Sequence, residues 1–181
     1  MGLGSRLRID GREFSTDVDK ERKRMQKITP FLWFDGNAEE AVDFYVSIFK
    51  KAKKGAVTRY AEGEPGPKGS VMTVEFQIEG QDFMVLNGNP EFKFNESISF
   101  VVNCQTQKEV DYYWEKLSRG GKKVACGWLK DKFGVSWQVT PTILTDWIKD
   151  KDPAKRDGVM KAMMKMVKID IERIKKAAKG K

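Results

Sequence analysis

The chain has 181 residues, 40% of them hydrophobic, and two cysteines; that is enough to close one core without disulfide or metal staples. No apolar run reaches membrane-spanning length and the first residues hold no apolar signal region, so no membrane partner is expected and a reducing cytoplasm is the expected location. The net charge of +8 belongs to the ends, with +3 in residues 1–27, +7 in 149–181 and −2 between them; with no recognition motif beside the basic stretches, no specific nucleic-acid partner is expected.

Residues 1–26 are polar, mixed in charge and without period, and read as a poorly ordered leader, with a short strand at Leu7–Ile9 left open. Patterning begins at Lys27. Phe31–Phe34 is an apolar strand. Asn37 is the expected cap of a following helix whose apolar stripe is Val42, Tyr45, Ile48 and Phe49. Strands are expected at Ala56–Ala61, Ser70–Ile78 and Asp82–Leu86, the last two joined by a hairpin turn at Glu79-Gly80-Gln81. The Gly/Pro-rich stretch Glu62–Gly69 reads as a surface loop, with a flap over a pocket as the alternative.

A second unit repeats this order. Ile98–Val102 is a strand, and Thr106 with Glu109 forms a capping box for a helix striped by Val110, Tyr113, Trp114 and Leu117. Gly120-Gly121 ends that helix. Strands are expected at Lys123–Ala125, Trp128–Lys130 and Ser136–Thr140, with Asp131–Gly134 as a turn. Glu40–Phe49 aligns without gaps on Lys108–Leu117, with Val-Asp-aromatic-Tyr in both, which indicates a duplicated module. The expected divisions are a leader 1–26, a domain 27–150 with modules at about 27–90 and 96–141, and a helical tail 151–181. In the tail Asp152 caps a helix with Pro153 at its first position. Its stripe of Met160, Met163, Met164, Val167, Ile171 and Ile174 is expected to bury on its own domain or on a second subunit.

Several segments then resemble the PhnB-like subgroup of the vicinal oxygen chelate (glyoxalase/bleomycin resistance/dioxygenase) superfamily. They are Thr29–Gly36, Phe44–Phe49, Ser70–Phe76, Leu86–Gly88, Phe92–Asn95, Cys126–Gln138 and Met166–Ile171, and the resemblance covers residues 27–178. It implies an α+β fold of two tandem βαβββ modules, forming curved half-barrels around a cleft, with a C-terminal helix. It also implies a homodimer. The subgroup often carries the name 3-demethylubiquinone-9 3-methyltransferase, yet no glycine-rich strand–turn–helix loop for a methyl-donor nucleotide is present.

In metal-using relatives of this type, four cleft strands each give one His, Glu or Gln. Here the resemblance carries those positions to Thr29, Ser97, Gln138 and the Met84–Asn87 region, and the chain contains no histidine. Neutral Thr, Ser and Gln offer little toward dehydrating a divalent ion, so no metal and no cofactor is expected. Strand alternation turns Phe31, Trp33, Ser99 and Val101 to the cleft, with Ser136 and Gln138 on one face of the last strand. The expected ligand-binding set is Thr29, Phe31, Trp33, Asn87, Ser97, Ser99, Trp128 and Gln138. A pocket wall of this kind suits a small neutral hydrophobic or aromatic molecule. The alternatives are a metal-independent enzyme, with Asp35, Asp131, Cys126 or Tyr60 as acid, base or nucleophile, and a dimerising interaction protein acting through its C-terminal helix. Catalytic residues are not identified by the sequence. Cys104 reads as core packing.

Overall fold

The computed structural model describes residues 26–88 and 91–179. The strand considered at Leu7–Ile9, and the leader before Gln26, lie outside them. The first module runs β1 (Phe31–Phe34), α1 (Ala38–Ile48), β2 (Ala52–Arg59), β3 (Val71–Ile78) and β4 (Gln81–Asn87). The second runs β5 (Phe100–Cys104), α2 (Gln107–Leu117), β6 (Lys122–Lys123), β7 (Trp128–Lys130) and β8 (Ser136–Pro141). Three helices follow: α3 (Thr142–Ile148), α4 (Pro153–Met163) and α5 (Ile171–Ala178).

The duplication is written in the topology. The sheets have orders β1-β4-β3-β2 and β5-β8-β7-β6, the same wiring twice. In each the first strand runs parallel to the last and the others pair antiparallel. The result is an α+β fold of two open, mixed four-stranded sheets. The β3–β4 turn is tight because Glu79 and Gly80 both take positive φ, at 48° and 86°, which matches the twist of the flanking strands.

One core serves both modules. Tyr45 and Phe49 of α1 meet the ring of Trp137 on β8, at 5.5 and 5.7 Å between centroids. Phe83 of β4 meets Phe100 of β5 at 5.3 Å, and Phe100 meets Trp137 at 5.4 Å. Rings of this size each remove a large apolar area from water. The two sheets therefore turn their helix-bearing faces toward each other.

Several expectations need correction. Asn37 makes no side-chain cap bond to α1. The amide of Asn87 does that work from β4, its Oδ1 accepting from Ala38 N at 2.9 Å. In the capping box of α2, Thr106 accepts from Glu109 N as expected, but Glu109 reaches one residue further back, to Gln105 N at 2.6 Å. β5 begins at Phe100, leaving Ile98 exposed. β6 is only two residues long, because the chain turns away through Cys126 and Gly127, at φ 58° and 81°.

The tail is not one striped helix. Asp152 caps α4 as expected, accepting from Ala154 N at 2.9 Å. After Met163 the chain leaves the helix and lies along the turn of module 2, where Cys126 N donates to Met166 O and Gly127 N to Val167 O, both at 2.8 Å. Asp170 then caps α5 by accepting from Arg173 N. This break moves the buried set to Val159, Met166, Ile169 and Ile174 with Leu144, while Met160, Met164 and Val167 are exposed. Gln107 clasps the tail with both amide atoms, donating to Ile169 O at 3.1 Å and accepting from Ile171 N at 2.9 Å.

Candidate functional site

Strand register decides which side chains share a face. Phe31 lies opposite Met84 and Trp33 opposite Leu86, while Thr73 and Glu75 of β3 complete the same two rows. These side chains point away from the core, and Phe31 and Trp33 remain 46% and 39% exposed. The Trp33 ring meets Phe92 edge-on at 5.4 Å. It also covers Gly88, where an added Cβ would come within 2.6 Å of the indole. Beside it, Tyr60 donates to the carbonyl of Asn87 at 2.8 Å. The Tyr60 ring is covered by Gly66 of the 62–69 loop, so the loop closes on that ring.

The second outward face belongs to module 2. Val101, Gln138 and Trp128 lie in one row across β5, β8 and β7. Gln138 Nε2 donates to Ser99 Oγ at 2.9 Å. Val101 is 50% exposed.

The eight expected ligand-binding residues thus fall into three groups. Phe31 and Trp33 share the outward face of module 1, and Trp128 and Gln138, with Ser99 bonded to Gln138, lie together on module 2. Thr29, Ser97 and Asn87 belong to neither row. Thr29 is exposed and its hydroxyl reaches Gln26 O at 3.5 Å. Ser97 is exposed in a turn, its N and Oγ both bonded to Asn95 Oδ1. Asn87 faces the helix side, where it caps α1 and donates from Nδ2 to Val71 O at 2.9 Å. The Phe31/Trp33 row lies on the sheet of module 1 and the Gln138 row on the sheet of module 2. Glu75 was missed, although the period-two pattern of Ser70–Ile78 places it on the Trp33 side; that face is not wholly neutral.

The four positions at which relatives of this type hold a metal do not fit one here. The donors at those positions, Thr29, Ser97, Gln138 and the Met84–Asn87 region, include no carboxylate or imidazole, and neutral groups offer little toward dehydrating a divalent ion. Among the described residues no group of three or more His, Cys, Asp or Glu could hold an ion. A methyl-donor nucleotide fares no better. The β1–α1 connection is Asp35-Gly36-Asn37, with one glycine, and Ala38 N at the head of the helix is taken by Asn87.

Of the acid, base and nucleophile candidates, Asp131 is 3% exposed. Its Oδ1 accepts from Phe133 N and Val135 N at 2.9 and 3.0 Å, and its Oδ2 from Tyr45 and from Trp137 Nε1, both at 2.8 Å. Burial pushes its carboxyl above the usual range, against the pull of those four donors. Burial and the adjoining carboxylate also hold the Tyr45 hydroxyl well above its ordinary value. This is a cross-module tie with no opening toward a reactant. Asp35 is exposed. Cys104 is fully buried and its thiol is pushed up to about 12, mainly by burial. Cys126 is half-buried, its Sγ 3.6 Å from Met164 Sδ.

The model of the 3-demethylubiquinone-9 3-methyltransferase family matches residues 26–140. No curated protein gives a match. Among solved structures, the PhnB protein of Bacillus cereus is 40% identical, covers 65% of this chain and 100% of its own, and has a TM-score of 0.60. PA1353 of Pseudomonas aeruginosa is 21% identical, covers 65% and 98%, and has a TM-score of 0.54, a likeness of fold. Among the described residues no helix is long and apolar enough to cross a membrane.

Proposed function

The chain belongs to the 3-demethylubiquinone-9 3-methyltransferase family, the PhnB-like subgroup of the vicinal oxygen chelate superfamily, and from that premise we propose that it binds a small hydrophobic or aromatic molecule without a metal. The binding cleft forms where the Phe31/Trp33 face of one copy meets the Ser99/Gln138 face of a second. One observation supports this reading: exposed Phe31 and Trp33 lie on the outward face of module 1, and exposed Val101 lies beside the Gln138–Ser99 pair on that of module 2. Exposed apolar surface rimmed by polar groups is the usual mark of an interaction site. Closing one face on the other supplies the concave, mostly apolar wall such ligands need.

Sedimentation of the full chain should give a dimer, and Trp33→Ala should weaken it. A thermal-shift screen of neutral aromatic compounds should find stabilisers, with about 2.7 kcal/mol of stabilisation at a hundredfold excess over Kd. Gln138→Ala should reduce that shift, and a chelator should leave it unchanged. A monomer at micromolar concentration, with no stabiliser in a broad screen, would refute the proposal.

A second reading, a metal-independent enzyme, is favoured by Glu75, whose carboxylate shares the row of Phe31 and Met84. Glu75→Gln should then abolish turnover of a bound compound while leaving its affinity intact. Methyl transfer requires S-adenosylmethionine to bind; a calorimetric titration without heat removes that case.

A further inference from the structure

A groove of about 830 Å³ runs between the β3–β4 hairpin of module 1 and the β5–α2 corner of module 2. None of the eight residues expected at the cleft lines it. Its floor is aromatic: Phe83, Phe100 and Trp137 follow one another ring to ring, and Phe49 stacks on Tyr113 at 5.1 Å along the wall. Its volume lies within the few hundred to about 1,000 Å³ typical of small-molecule pockets.

The charges at its mouth are unevenly committed. Two carboxylates are there, and each is tied to backbone: Glu79 Oε1 accepts from Lys51 N at 3.4 Å and Glu109 Oε2 from Gln105 N at 2.6 Å. Three lysines, Lys50, Lys51 and Lys108, are among the residues that line the groove. Among the described residues none of the three makes an ion pair, whereas Lys54, a few residues on, is paired with both Glu39 and Asp43. The groove therefore presents three lysines without an ion pair, against two backbone-bound carboxylates, above an aromatic floor whose rings meet at 74° and 50°.

The geometry points to a site for an organic anion with an aromatic body, such as an aryl carboxylate or sulfonate. The ring system lies against Phe83, Phe100 and Trp137, and the anionic group is held among the three lysines. The aromatic floor supplies area and the ammoniums supply selection by charge. Neither Trp33 nor Gln138 lines this groove, and it meets the Gln138 face only through Val101 and Asn103, which alternate outward on β5.

The test titrates the full chain with 2-naphthalenesulfonate by calorimetry, with the neutral 2-naphthol as comparison. Saturable binding of the sulfonate is expected, with the naphthol weaker by about tenfold, the sum of several exposed charge contacts. The triple variant Lys50→Gln, Lys51→Gln, Lys108→Gln should lose the same factor for the sulfonate and change the naphthol little. The triple variant Lys149→Gln, Lys161→Gln, Lys165→Gln, at lysines outside the groove, is the charge-matched control and should bind as the parent does. No saturable binding, equal affinity for the two compounds, or an unaffected triple variant would each overturn the assignment.

Discussion

Replacing Asp131 by alanine strands four donors at once. The backbone N–H groups of Phe133 and Val135, the indole N–H of Trp137 and the hydroxyl of Tyr45 all end on this one carboxylate. Each buried donor left without a partner costs about 1–3 kcal/mol. Removing a buried charge gives some of that back, so a net loss of about 3–5 kcal/mol is expected, of the order seen when a buried charge interaction is broken. Asp131→Asn keeps the site filled and at least one acceptor oxygen while facing an N–H₂ group toward existing donors, and should cost about 1–3 kcal/mol. Tyr45→Phe removes one bond and should cost about 1–2 kcal/mol. Urea unfolding at neutral pH reads all three as shifts in midpoint at constant slope. The same carboxyl has a pH signature. Its folded pKa lies above its unfolded one, so the folded state holds a proton that the unfolded chain releases between the two values. Its contribution to stability therefore rises as pH falls through the raised folded value, and is complete below the ordinary carboxylate range. The parent should gain on Asp131→Asn over that interval. An alanine variant within about 0.5 kcal/mol of the parent, or an asparagine variant worse than alanine, would refute the account.

Gly127 sits at φ 81°, where a Cβ would meet Val139 O at 2.9 Å and Ile169 Cγ1 at 3.1 Å; Gly127→Ala should cost about 1–3 kcal/mol and speed amide exchange in α5. Asn87→Leu removes the cap of α1 and should cost about 1 kcal/mol, whereas Asn37→Ala should leave the urea midpoint unchanged. A disulfide reagent at pH 8 should titrate one thiol, Cys126, quickly and the second, Cys104, only on unfolding, given its burial and its pKa of about 12; two fast thiols would contradict that placement.

What the sequence made legible was what depends on near neighbours. The two amphipathic helices, the Asp152-Pro153 start and the Glu79-Gly80 turn all follow from residues within four positions of each other, and each is found where the pattern put it. Long-range work was hidden. Asn87 caps a helix 49 positions upstream, and Asp131 binds a tyrosine 86 positions away. No local pattern announces either. The tail stripe misled because helical spacing was read across Met164–Asp170, an irregular stretch whose Met166 and Val167 carbonyls accept from Cys126 N and Gly127 N instead. Strand alternation placed Phe31, Trp33 and Gln138 on outward faces, but it could not tell that the two sheets meet through Phe83, Phe100 and Trp137.

The shared aromatic seam also governs how the chain comes apart. Tyr45 and Phe49 belong to one repeat and Trp137 to the other, so neither repeat can melt without stripping the rings of its sibling. The ancestral unit, if cut free between residues 91 and 99, would expose that whole seam to water. Duplication has thus produced two copies of a motif but a single cooperative unfolding event, and heat or urea should take both halves down together.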